Sequence, residues 1–441
     1  MRHFFPLAVT VLALLTCTLS NAQSYVGHVL DNYSGIHGLI INPASVVDSR
    51  QRADINLFSV SAFGGSDYFS TDLGTILESE DGFVFDDDMQ INAMNENQFF
   101  LNVDVLGPSF MLNLTPKSSI GITTRLRGFM NLNNINGKLY ESVEEGFDLG
   151  ENYDFDMRNF SGTIHTWGEL GLTYGRILMD RNQHFLKGGI TLKYLQGAGS
   201  TFSNSSNLTG QYTADSGSLT TTGNLQYGST QGFDSNDIDF SNLTAGFGAD
   251  IGFVYEYREQ GLEDLVGHSD YLFRLGVSVT DFGSISYEGT TETTYEMEGV
   301  TTTTEEFGQE DLETVLREKY ASTDEFSDTR VMLPTALHIV LDYNLRNRVD
   351  VSLHGSLSLI GDSKQFASRV MNTLTATPRY ESRWFSFYMP VSIRQYDGVA
   401  MGAGLRLGPL TLGSGSIITN YISDDSQTAD LYVGLKIPLY R

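Results

Sequence analysis

The chain has 441 residues, with Lys+Arg 27 against Asp+Glu 54, a formal net charge of −27. So acidic a surface excludes a nucleic-acid partner, because phosphate binding needs basic side chains. With 9 Pro against 27 Phe and 22 Tyr, and a mean hydropathy of −0.16, the chain is neither disordered nor a polytopic helical membrane protein.

Residues 1–22 read as a secretory signal peptide. Met1-Arg2-His3 gives a positive start, Phe4 to Leu19 is an apolar run, and Ser20 and Ala22 put small residues before Gln23. The single Cys, Cys17, fits poorly as a lipidation site because Thr16 precedes it. The expected mature chain therefore has no disulfide, thiolate metal site or Cys nucleophile.

Residues 23–51 do not alternate and form a segment of their own. Asn42 is a strong N-cap, and Pro43 suits the first helical position, where its missing N–H costs nothing. Pro43-Ala44 then opens a short helix to about Asp48. Gly35 and Gly38 lie upstream, where the backbone is expected to turn tightly.

From residue 52 to 441 the apolar pattern has period two, the period of a strand. In 246–257 one face is Phe247, Ala249, Ile251, Phe253, Tyr255, Tyr257. In 431–439 it is Leu431, Val433, Leu435, Ile437, Leu439. Fourteen candidate strands begin near Arg52, Gln98, Lys117, Thr163, His184, Leu243, Tyr271, Met332, Arg348, Arg369, Phe385, Val399, Leu410 and Thr428. The runs are long, the number is even, and the polar faces carry glycines and charges of both signs. Connections after most odd strands are long (65–97, 131–162, 197–242, 285–331), and those after even strands are short. These features predict an all-β, transmembrane antiparallel β-barrel of about 14 strands, with long extracellular loops and both chain ends periplasmic.

The long loops are polar. Residues 200–232 are rich in Ser, Thr, Asn and Gly, and 288–328 are acidic; neither is expected to bury enough apolar surface to fold alone. A short helix is expected within Gln309–Tyr320. Asp86-Asp87-Asp88 and Asp234 to Asp239 match no EF-hand spacing and read as solvated loops.

Charges on the polar faces would be costly in hydrocarbon and should point inward. The candidate lumen residues are Arg125, Arg127, Glu169, Lys193, Asp250, His338, Asp342, His354, Arg394 and Arg406. They read either as a ligand path or as a salt-bridged lumen holding a plug. His338 and His354 read as a structural pair inside the barrel rather than a metal site. Proline lacks the N–H that a ladder needs. Gly107-Pro108, inside the run from Phe99 to Leu114, is therefore a candidate lateral gate or a strand bend. No zinc motif, P-loop, dinucleotide fingerprint or nucleophile elbow is present, so the sequence implies no enzyme, cofactor or metal.

The Gly-rich lead, Asn42-Pro43-Ala44, a short helix and the first strand resemble the N-terminal hatch of the FadL-type fatty-acid transporters. Gly38 to Ala44, Leu275 to Gly283, Leu333-Pro334-Thr335 and Leu431 to Leu439 resemble more closely the FadL-like and PorV-like outer-membrane proteins of Bacteroidota, in a branch of unknown function. The chain departs from many such barrels in ending Tyr440-Arg441 rather than in Phe. The resemblance implies a hatch at 23–51 and residence in the outer membrane of a Gram-negative bacterium. It implies passive uptake of a small hydrophobic molecule or, alternatively, a non-transporting scaffold or secretion-associated partner. The implied partners are outer-membrane lipid and either a small hydrophobic ligand or a secretion or surface protein.

Overall fold

The period-two pattern becomes a ring. The computed structural model describes residues 24–440, apart from 73–88, 145–146, 148–149, 232, 235–236, 239–242, 259–270, 303–311, 347, 362–363 and 396–397. The expected signal peptide and Asp86-Asp87-Asp88 lie outside the described residues, as does part of Asp234 to Asp239.

The strands are β1 (Gln51–Ser66), β2 (Asn97–Leu106 and Ser109–Thr115), β3 (Ser118–Ile135), β4 (Ser161–Arg181), β5 (His184–Asn204), β6 (Thr244–Tyr257) and β7 (Phe273–Glu296). They continue as β8 (Ala321–Met332 and Ala336–Arg346), β9 (Val349–Ser358), β10 (Thr373–Glu381), β11 (Phe385–Tyr388 and Val391–Arg394), β12 (Gly398–Met401 and Ala403–Leu407), β13 (Leu410–Ser414) and β14 (Thr428–Tyr440). Each pairs antiparallel with its neighbour in the chain, and β14 pairs with β1 from Gly65↔Thr428 to Gln51↔Tyr440. The sheet therefore closes through about 14 strands. Closure satisfies the backbone within the wall, the condition for crossing hydrocarbon with strands. No helix among the described residues is long and apolar enough to cross a membrane.

The outside of the ring is apolar and the inside polar. β14 exposes Leu431, Val433, Leu435, Ile437 and Leu439 and buries Tyr432, Gly434 and Lys436. Elsewhere Leu170, Leu172, Ile190, Leu192, Phe247 and Phe253 also face outward. This inverts the soluble pattern and gives a transmembrane barrel its lipid-facing belt.

Two strand starts are corrected. β8 begins at Ala321, so Met332 ends its first piece. Residues near Arg369 are not strand; 364–372 turn into the ring, and β10 begins at Thr373.

The loop expectation is also corrected. β7 runs to Glu296, β5 to Asn204, and Asn224–Ser229 pairs with both. Tyr153–Asp156, Thr209–Thr213, Ser218–Thr222 and Gly299–Thr302 form a separate four-stranded sheet. With helices α1 (Gly137–Glu144) and α2 (Leu312–Lys319), it surrounds Phe147, Phe155, Met157, Phe160, Tyr212, Leu219, Tyr295 and Leu316. No single loop carries enough apolar area to fold, but several pooled together do.

Candidate functional site

Residues 24–50 form an inner segment of three 3-10 turns, His28–Leu30, Gly35–Ile40 and Pro43–Val46. They pack against β1, β4, β5 and β6. Asn42 Oδ1 accepts from the Ala44 N–H at 2.9 Å, so it caps the third turn, while its Nδ2 donates to Phe253 O at 3.2 Å. The turn ends at Val46, short of the expected Asp48, because Val47 is already extended. Gly35 has φ +60°, and a Cβ there would strike the Asp54 carboxylate and lie 2.6 Å from Gln51 Oε1. Gly38 needs no such freedom and lies inside the second turn. Pro43 and Ala44 are buried against β5, where a Cβ on Gly189 would lie 2.5 Å from the Pro43 carbonyl.

Charged and polar links fasten this segment to one side of the ring. Asp31 accepts from Arg406 Nε at 2.9 Å and from the Tyr388 hydroxyl, and Arg406 also donates to Ser382 O and Ser386 Oγ, both at 2.6 Å. Asp48 meets Arg258 at 2.5 Å. Lys436 Nζ donates to Tyr33 O and Ser34 O at 2.7 Å and lies 3.3 Å from Asp54. Asn32 bridges Glu381 (2.8 Å) and Arg274 (2.8 Å), and Asp342 gathers Arg274 (2.6 Å) and Arg379 (2.7 Å). Towards β2–β4 the contact is apolar: Ile36, Leu39, Val46 and Val47 pack on Leu106 and Met111. A cleft of about 80 Å³ separates the segment from β5–β8, rimmed by Asp48, Arg50, Lys187, Glu256, Arg258 and Arg274.

Burial sets the protonation of the inner segment. It pushes the His37 imidazole down to about 3, with Lys436 adding to the effect, and holds His28 well below its ordinary value. Burial alone would raise the Asp31 carboxyl, but Arg406 and His28 overcome it and keep Asp31 below the usual carboxylate range.

A second cluster lies on the inner faces of β2–β7. Arg125 pairs with Asp104 and, at 2.9 Å, with Glu169; Arg127 meets Asp281 at 2.8 Å; Lys193 meets Asp281 at 2.6 Å and Asp250 at 2.9 Å. Next to it, His338 Nδ1 and His354 Nε2 are 3.2 Å apart, and His338 Nε2 is 3.1 Å from Thr280 Oγ1. Arg394 stands apart with Asp430, at 2.7 Å. The ten candidate lumen residues thus fall into separate groups, one around Asp342, one around Glu169 and the histidines, one at Asp31 and one at Asp430.

Several partners escaped the sequence reading. Asp104, Arg274 and Arg379 follow the polar parity of their strands. Asp281 breaks it: after Leu275, Val277 and Val279 it occupies an apolar position, while Phe282 is 70% exposed. The cause is a bulge opposite Ala249 and Ile251, with Asp281 at φ +57°. The parity slip at Thr280-Asp281-Phe282 was the available signal.

Towards the long-loop end, the infolded residues 364–372 close over the cluster. Met332 N donates to Phe366 O at 2.8 Å, and Asn131 exchanges hydrogen bonds with the Arg369 backbone at 3.2 and 3.1 Å. Phe129, Trp167, Leu195, Ile285, Tyr287, Val331 and Leu333 form an apolar layer there.

At Gly107-Pro108 β2 is interrupted, but both neighbouring strands continue past it. Asn56 Nδ2 donates to Leu106 O and Gly107 O at 3.0 Å, Gly107 N donates to Thr124 O at 2.8 Å, and Thr124 Oγ1 donates to Pro108 O at 2.9 Å. The Asn56 and Thr124 side chains thus stand in for ladder bonds, while Gly107 keeps one main-chain bond to β3.

A family of unknown function (DUF5723) matches residues 43–415. No curated protein matches the chain. Similar solved structures include the toluene transporter TbuX of Ralstonia pickettii, 8% identical, covering 97% of this chain and 98% of that one at a TM-score of 0.44. The toluene transporter TodX of Pseudomonas putida is 8% identical over 95% and 98%, at 0.44. A FadL homologue of Pseudomonas aeruginosa is 9% identical over 95% and 99%, at 0.42.

Proposed function

The chain belongs to the DUF5723 family, and on that premise we propose that it is an outer-membrane barrel of a Gram-negative bacterium, exported by residues 1–22, that passes a small hydrophobic molecule passively. Residues 23–51 act as its hatch. The observation that carries the reading is the apolar side of this segment. Ile36, Leu39, Val46 and Val47 lie directly behind Leu106 and Met111, the residues flanking the Gly107-Pro108 interruption in the wall. Around that interruption Ile55, Phe58, Phe110 and Leu112 face outward. An apolar molecule moving along the hatch would therefore meet a lipid-facing part of the wall whose ladder is already broken, with Gly107 and Pro108 as its exit. A Cβ on Gly107 would lie 2.7 Å from Thr124 Oγ1, so bulk there must displace the Thr124 side chain that bonds Pro108 O. Gly107→Trp is expected to block uptake of a hydrophobic dye by intact cells while the barrel still assembles. Unchanged uptake by an assembled Gly107→Trp barrel rules out this exit.

A second reading is supported by the pairs Asp31–Arg406 and Asp48–Arg258, which tie the hatch to the wall. A hatch so fastened suits a PorV-like scaffold whose folded loops hold a secretion or surface protein. No dye uptake above that of cells lacking the protein would favour this alternative.

A further inference from the structure

Among the described residues, one part of the ring is filled by a helix instead of a strand. β13 stops at Ser414, and its ladder to β14 ends at Gly413↔Tyr432. Beyond that level Gly398–Met401 pairs only with β11, and Thr428–Leu431 only with β1. Among the described residues no strand fills the space between them. A short helix, α3 (Ile417–Ile422), lies there instead.

A bilayer does not tolerate open strand edges, so the helix must satisfy them. It does so with side chains. The Met401 N–H donates to Thr419 Oγ1 at 2.5 Å on the β12 side, and the Asp430 N–H donates to Ser416 Oγ at 3.3 Å on the β14 side. The Asp430 carboxylate then holds the start of the helix, accepting from Gly415 N at 2.6 Å, Ser416 Oγ at 3.0 Å and Arg394 at 2.7 Å. A continuous ladder is replaced by a few hydrogen bonds anchored on one carboxylate, so this panel is held more weakly than the strands beside it.

Its two faces differ. Ile417, Tyr421 and Ile422 are 43%, 55% and 72% exposed, and the flanking outward residues are Val399 and Leu431. The panel therefore faces the apolar belt. Behind it lie Arg394 and the hatch: a Cβ on Gly415 would be 2.6 Å from Arg394 Nη2 and 3.0 Å from Val26. From there Tyr25, Val29, Leu30, Ile41, Val340 and Tyr432 form one apolar cluster. Ile40 packs against this cluster and also against the cluster at Leu106 and Met111. Ile40 thus joins the apolar cluster inside the hatch to the one at the β2 interruption. At the long-loop end, the infolded residues 364–372 and the folded loops stand over the lumen.

We infer that α3 is a lateral inlet: a panel in the wall that swings out to admit a small apolar molecule from the outer-leaflet side onto the hatch. The inference rests on the passage reading above, and names where the molecule gets in rather than where it leaves.

The test uses intact cells carrying the full-length protein and the dye N-phenylnaphthylamine. In Met401→Cys/Thr419→Cys, oxidation pins the helix to β12; the expected mature chain has no other Cys. Uptake should fall to the level of cells lacking the protein and return on reduction, and neither single variant should lose uptake on oxidation. If uptake is the same with the cross-link formed and reduced, α3 is not the inlet, whatever the fate of the passage reading. If the parent itself gives no uptake above control cells, the passage reading fails and the inlet with it. Asp430→Asn, which weakens the anchor without adding bulk, supplies the opposite arm and decides the matter if the cysteine pair does not assemble. Faster uptake by a barrel of normal heat-modifiable mobility supports the inlet, and unchanged uptake overturns it.

Discussion

Lys193 shows how the lumen is held at the level of single residues. It is buried, with Asp250 at 2.9 Å and Asp281 at 2.6 Å, and Glu169 at 3.7 Å. A buried pair gains little over an apolar replacement of both partners, because desolvation offsets attraction. Removing one partner leaves the other charged and unpaired, which costs about 3–5 kcal/mol. Lys193→Met should therefore destabilise the barrel by roughly that amount in urea unfolding, and Lys193→Met/Asp250→Asn should recover part of the loss. Equal loss in the single and double variants would show that Asp250 is not the partner that matters. Strand parity made Arg125, Arg127, Glu169, Lys193 and Asp250 legible as inward residues. Their pairing was not legible, because register between neighbouring strands is set by turns and bulges. Asp281 shows this most clearly: only the bulge that shifts it off parity brings it to Lys193 and Arg127.

The inner segment 24–50, proposed above as a hatch, is an element whose cap was readable and whose anchors were not. Asn42-Pro43 announces a capped turn through local chemistry alone. The Asp31–Arg406 pair spans 375 residues, and no local pattern foretells it. Burial of its histidines is expected to make the segment sensitive to acid. His37 stacks edge-on against His28 and Tyr25, bonds Ser59 Oγ at 2.9 Å, and feels Lys436; His28 meets Tyr388 at 3.2 Å with Asp31 and Arg406 beyond. Burial holds His37 at about 3 in the folded chain, whereas an unfolded His titrates near 6.5. Between those values the released segment binds the proton and the packed one does not. The packing is therefore fully stable above about pH 6.5 and weakens as pH falls towards 3. Asp31 acts in the same direction only below the unfolded carboxylate value, near pH 4. Planar-bilayer current should rise as pH is lowered from about 7 to about 4, and His37→Gln, which takes up no proton, should stay quieter. A current that ignores pH over that range would show that His37 does not govern the hatch.

At the scale of the whole molecule, the alternation of loop length predicts the orientation. The short connections at 115–118, 181–184, 346–349 and 407–410 gather on the rim where both β1 and β14 have their outer chain ends, Gln51 and Tyr440. The long connections gather on the other rim and build the four-stranded sheet over the cluster of Phe155, Tyr212, Leu219 and Leu316. Sequence periodicity suffices for the ring, because one face of each strand must meet lipid. It does not suffice for this folded cap, whose apolar residues are spread thinly over several polar segments. An outer-membrane barrel keeps short turns in the periplasm and long loops outside. The cap's exposed turn Ala214–Ser216, between two of its strands, should therefore be reachable from the medium, and the Arg181-Asn182-Gln183 turn should not. A protease site inserted after Ser216 should be cut on intact cells, leaving a barrel that still runs as folded, because a nick in an exposed turn removes no ladder bond of the wall. The same site after Asn182 should be cut only once the outer membrane is opened. The reverse pattern would place the cap in the periplasm, turn the hatch towards the medium, and point α3 at the inner leaflet, so this labelling also fixes the direction in which any molecule would travel.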